Sequence, residues 1–224
     1  MKTADLARLA REFADQIQDL LNRTITNGIP ITAVLYPGGR QGWVGFQINK
    51  QAPHATKPIP VTISQADPKC FLVILHRLEL DPERVHIATT SSRVELHLTD
   101  DLQNPIIRYD YNREPVLAKN ELAYPAAHVH IHGTESPVNP LADAMGVERR
   151  LPDFHWPTGG RRFRPTLEDL IESMIIEELA IPHDGWQEAV KEHRQRWFDL
   201  QLSAAVRRNP EVARRALAEA GESE

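Results

Sequence analysis

The chain has 224 residues, 41% hydrophobic and 25% charged, with a formal net charge of -5 at pH 7. That is enough chain for one generous core in an ordinary globular composition, and the acidic balance argues against a protein that coats nucleic acid by bulk charge. One cysteine, Cys70, excludes an internal disulfide and fits a reducing compartment, and no apolar run is long enough to cross a bilayer. Met1 to Arg11 reads as an amphipathic start without a signal-peptide core, so the expected location is the cytoplasm.

Residues 3–23 are expected to be helical: Leu6, Leu9, Phe13, Ile17, Leu20 and Leu21 recur every three or four positions, and charged residues fill the other face. Asn27-Gly28 ends the pattern. Ile31–Tyr36 and Gly42–Asn49 flank Pro37-Gly38-Gly39 and read as a hairpin, followed by a short strand over Pro58–Ile63. Asp67-Pro68 can open a helix over Lys69–Leu80, although Phe71-Leu72-Val73-Ile74-Leu75 equally suits a buried strand. Val85–Thr89, Arg93–Thr99, Pro105–Tyr111 and Pro125–His132 read as an antiparallel meander, joined by Thr90-Ser91-Ser92 and by 100–104 among other connectors. Residues 134–165 are rich in proline and glycine and read as a long loop. Thr166 then caps a helix to about Ala180, with Asp169 placed as in a capping box. Pro182 to Gly185 breaks it, a helix runs from Trp186 to Arg208, and Asn209-Pro210 starts a short last one. The expected fold is α+β: residues 1–133 a sheet domain with an N-terminal helix, 134–165 a basic loop, and 166–224 C-terminal helices, together one continuous domain.

The chemistry concentrates in Ala127-His128-Val129-His130-Ile131-His132-Gly133. On a strand, all three imidazoles leave the same face. Such a row can act as general base and acid on a phosphodiester, or hold zinc or another transition metal, because His-x-His points two ring nitrogens the same way. It can also be the plain polar face of an antiparallel sheet. His155 and Asp153, in the following loop, are available to a metal or a proton-transfer pair. Arg108-Tyr109-Asp110-Tyr111 places Arg108 and Asp110 on one face, where Asp110 can orient an imidazole or pair with an arginine across strands. Between Arg149 and Arg164 five arginines face one acid, a local charge of +4. Arg161, Arg162 and Arg164 are therefore candidates to bind phosphate, beside Gly159-Gly160 and the aromatic faces of Trp156 and Phe163. The alternative pairs these arginines with the acids of the next helix.

The histidine row resembles the His-φ-His-φ-His motif of the histidine-triad nucleotide hydrolases, which implies attack by His130 on a nucleotide α-phosphate; the match ends at Gly133 and Thr134. The order of features from 106 to 175 is similar to the small TumE-type toxins of bacterial toxin–antitoxin pairs. Arg108-Tyr109-Asp110, His128 to His132, Phe163-Arg164 and Thr166-Leu167-Glu168-Asp169-Leu170 carry that resemblance over roughly a third of the chain. It implies an RNA-directed toxin restrained by a protein antitoxin. The expectation is RNA cleavage without an obligatory metal: His130 as base, His128 or His132 as acid, and Arg161, Arg162 and Arg164 stabilising the phosphate, with Arg108 as a further phosphate ligand. Asp110 and His155 are expected to orient the catalytic groups. A non-enzymatic protein-binding module and a zinc site are the competing readings.

Overall fold

A computed structural model describes residues 5–62, 68–102, 105–114, 125–133, 156–159 and 164–221. Helix α1 spans Leu6–Thr24, and the Asp5 side chain caps it by accepting from the Ala7 amide. Its buried stripe, Leu6, Ala10, Ala14, Ile17, Leu20 and Leu21, follows the three- and four-residue spacing of the sequence. The chain then turns sharply. The Asn22 side chain holds that turn, accepting from the Ile29 amide at 2.8 Å and donating to the Ile29 carbonyl at 3.0 Å, and Gly28 takes the left-handed conformation it requires.

Among the described residues, eight strands form one sheet: β1 (Ile31–Leu35), β2 (Gly42–Phe46), β3 (Ile59–Thr62), β4 (Pro68–Leu80), β5 (Ile87–His97), β6 (Pro105–Asn112), β7 (Ala127–Ile131) and β8 (Trp156–Pro157). The order is β1-β2-β4-β5-β6-β7-β8, with β3 also on β4, and all pairings are antiparallel. Helices α2 (Leu167–Ile176), α3 (Trp186–Arg208) and α4 (Pro210–Gly221) follow. The fold is α+β, as the alternation of patterns along the chain implies. None of the described helices is long and apolar enough to cross a membrane.

One open choice is resolved and one expectation is corrected. Lys69–Leu80 is strand, not helix. Leu72, Ile74 and Leu78 join the main core while Val73 and Leu75 are buried on the opposite side. A central strand covered on both faces reads as an unbroken apolar run. Thr90-Ser91-Ser92 is likewise no connector. It lies inside β5 at a bulge, where the register slips between Arg77 and Leu78 and passes over Thr90. The Thr90 hydroxyl donates to the Arg77 carbonyl there, so the bulge keeps a hydrogen bond.

Helices cover one face of the sheet. Ile171 and Met174 of α2 and Val190 of α3 bury with Leu72, Ile74, Leu78 and Leu96. Each fully buried aliphatic side chain contributes about 1.5–3 kcal/mol, the main source of stability on that side. Thr166 and Asp169 form the expected capping box on α2. The α3 helix is tied down by polar contacts as well: His193 to Asp19 at 2.9 Å, and Arg194 to Glu172 at 2.6 Å. Arg194 thus pairs with the acidic side of α2.

Candidate functional site

Strands β5, β6 and β7 build the site on the face away from the helices. The pairing sets Asp110 opposite His128 and Arg108 opposite His130, while Arg93 and Glu95 of β5 lie opposite Asp110 and Arg108. Since side chains alternate along each strand, all six groups project to one side. The Asp110 Oδ2 atom is the meeting point. Arg108 Nε lies 2.8 Å from it, His130 Nε2 3.4 Å and His128 Nε2 3.9 Å. The His128 and His130 rings meet edge to face, with centroids 5.1 Å apart.

His128 has a fixed tautomer. Its Nδ1 lies 2.8 Å from the Pro125 carbonyl oxygen, which can only accept, so Nδ1 carries the proton. In the neutral ring Nε2 then holds a lone pair aimed towards Asp110. The rings are secluded: His130 is 3% exposed and His128 8%. A cavity of about 510 Å³ adjoins them, bounded by Trp43 and His54 as well as by Arg93, Arg108 and Asp110.

His132 follows the end of β7. Burial, then the positive charge of Arg108, pushes its pKa down, so it stays neutral at pH 7. The charges that reach it, those of Arg108, His130, Glu95 and His97, belong to the same polar face. Glu95 and His97 were not singled out from the sequence. Their side chains meet at 3.1 Å, and Arg93 approaches Glu95 at 3.6 Å. The signal was present in Arg93-x-Glu95-x-His97, an alternation with the same period as the histidine row.

The arginine expectation needs correction. Arg164 does not join the histidines. Its guanidinium sits 3.8 Å from the centroid of the Tyr111 ring, on the helix-covered side of the sheet. There it borders a second cavity, of about 470 Å³, together with His76. The alternation of β6 explains this: Tyr109 and Tyr111 point to the helices, Arg108 and Asp110 away from them. Among the described residues, Arg108 and Arg93 are the arginines that border the cavity beside the histidines. Arg161, Arg162 and His155 lie outside the described residues, as do Asp153 and most of the 134–165 loop.

His76, a half-buried counterpart on the helix side whose ring nitrogens are buried, was also missed. Neither ring nitrogen meets a hydrogen-bond partner among the described residues, and the ring packs edge-on against Phe13. Burial, and secondarily the charge of Arg164, lowers its pKa to about 3. It is a neutral packing histidine over the physiological range.

Compared with protein-family models, with curated proteins and with solved structures, the chain has no match.

Proposed function

We propose that the polar face of β5–β7 cleaves phosphodiester bonds in RNA. The observation that carries this reading is the convergence of two imidazole Nε2 atoms on one Asp110 oxygen, at 3.4 and 3.9 Å, beside Arg108. The roles differ from those expected of the sequence. With its Nδ1 proton committed to Pro125, His128 offers the Nε2 lone pair and is the base that takes the 2′-hydroxyl proton. His130, whose Nε2 lies nearer the Asp110 carboxylate at 3.4 Å, is the acid that protonates the leaving 5′-oxygen. A nucleophilic role for His130, as in nucleotide hydrolases, is disfavoured by that same carboxylate. Arg108 and Arg93 supply the positive charge that the growing negative charge on phosphorus requires. His132, held neutral, is a neighbour and not the acid.

The test uses chelator-treated protein on an RNA oligonucleotide and on its all-deoxy counterpart. RNA is expected to be cut and DNA spared, because the 2′-hydroxyl is the nucleophile. His128→Ala and His130→Ala are each expected to lower the rate by at least a hundredfold, in line with the usual share of acid–base catalysis. Either variant cutting as fast as the parent chain overturns the reading. In a bacterial host, expression is expected to arrest growth, and a partner antitoxin to relieve it.

A specific observation favours a second reading, a protein-binding module. Phe198, Leu200, Leu202 and Val206 of α3 and Val212 and Leu217 of α4 are exposed, and α4 buries no residue at all. Exposed apolar side chains in that number mark a partner surface. Growth arrest that persists in His130→Ala supports the module against the nuclease.

A further inference from the structure

We propose that Asp110, His128 and His130 form a binding site for one divalent transition-metal ion of the zinc type. Among the described residues, these three form a group whose ligand atoms all lie within 4.8 Å of one another. A tetrahedral ion bound at about 2.1 Å holds its donors about 3.4 Å apart. Of the carboxylate-to-imidazole distances, 3.4 Å matches that spacing and 3.9 Å exceeds it. Two imidazole nitrogens and one carboxylate oxygen, with room for a further ligand on the cavity side, are the donor set of catalytic zinc and of other first-row ions.

The independent support is the Pro125 contact. Imidazoles that bind metals characteristically donate the other ring N–H to a carbonyl or carboxylate, which fixes the ring and raises its basicity. The Nδ1 contact of His128 to the Pro125 carbonyl, at 2.8 Å, has that form. With Nδ1 turned to Pro125, the Nε2 atom of His128 is the ring nitrogen that faces Asp110, the orientation a metal ligand needs. Arg108 already pairs with Asp110. A carboxylate offers about four acceptor sites on its two oxygens, however, so guanidinium and metal can share it. The ligands also stand on adjacent paired strands, which hold them at a set distance without an ordering cost on binding.

For the proposed nuclease the consequence is regulatory, and this half rests on that reading. Ion and proton compete for the same lone pairs. An occupied site is therefore a silenced one, and metal withdrawal frees His128 and His130 for proton transfer.

The experiment begins with the full chain stripped by a chelator. Zinc chloride is titrated in by calorimetry, and cobalt(II) chloride by visible absorption. One ion per chain is expected, with the cobalt bands of a four- or five-coordinate site, and affinity is expected to fall at least tenfold between pH 7.5 and 5.5 as protons displace the metal. Asp110→Asn and His128→Gln are each expected to weaken zinc at least tenfold. Circular dichroism reports whether each variant keeps its fold, and His130→Gln stands in for one that does not. A parent chain that binds no zinc, or folded variants that bind within threefold of it, overturns the site. Saturating zinc is expected to stop RNA cleavage, and undiminished cleavage overturns the regulatory half. Zinc bound by a chain that cuts no RNA in any state leaves the metal site standing and removes the nuclease. Cleavage by a chain that binds no zinc does the reverse.

Discussion

The two faces of strands β5–β7 share a backbone and differ in almost everything else. On the helix side stand Val94, Leu96, Ile107, Tyr109, Ala127 and Val129; on the other stand Arg93, Glu95, Arg108, Asp110, His128 and His130. Depth does not separate the two histidines from the apolar side. His130 is 3% exposed and His128 8%, while Val129 is 8% exposed. Burial on the first side lowers the free energy directly, because apolar surface leaves water. On the second side it removes water from charged and polar groups, which costs free energy that hydrogen bonds and ion pairs only partly return. Two imidazoles held as deep as Val129 therefore carry a desolvation cost that the apolar side does not.

The contrast is open to attack, first through the core. Leu72→Ala, at a fully buried position in β4, is expected to cost about 2–5 kcal/mol in urea unfolding. A loss below 1 kcal/mol removes the claim that the helix face carries the stability. The next probe is acid. His76 has its pKa lowered to about 3 by burial, against an unfolded value near 6.5. Between these values the unfolded chain binds a proton that the folded chain refuses, so stability rises with pH across the window and is lost as pH falls. The slope is at most about 1.4 kcal/mol per pH unit from this group. His76→Leu is expected to flatten the fall in stability between pH 6.5 and 4 in a series of urea titrations. An unchanged slope shows that His76 takes up its proton without unfolding the chain.

Smaller effects sharpen the comparison. Thr166→Ala removes the cap that holds α2 over the core and is expected to cost about 1 kcal/mol by thermal unfolding. On the polar face, His130→Leu is expected to leave stability within about 1 kcal/mol, or to raise it, because an apolar side chain needs no partner there. The same substitution is expected to abolish zinc binding and RNA cleavage. If it destabilises as much as Leu72→Ala, the polar face is structural and the contrast between the two sides fails.

Helix α1, the first hairpin, the β6–β7 pairing and the capped α2 were legible because each rests on a short-range pattern: periodicity, turn residues or a capping box. The β4 strand was not, since a run buried on both sides has no alternation to read. Nor was the length of β5, where the polar trio Thr90-Ser91-Ser92 imitates a turn and is instead absorbed by a bulge. At the site, the shared face of His128 and His130 with Arg108 and Asp110 followed from strand alternation together with the pairing of neighbours. Glu95 and His97 obey the same rule and were overlooked even though the strand over Arg93–Thr99 that carries them was expected.

The amino-acid order determined, by itself, which way each side chain leaves its own strand or helix, because that direction depends only on local backbone geometry. Hence the imidazoles lie in one row and Asp110 shares a side with Arg108. Tertiary structure alone decided what meets that row: the register that sets Asp110 against His128, the Pro125 carbonyl that fixes one imidazole's proton, and the path that carries Arg164 to Tyr111 on the opposite side. Those outcomes depend on how distant segments cross the sheet, which is settled by the joint burial of the whole core and not by any one stretch of chain.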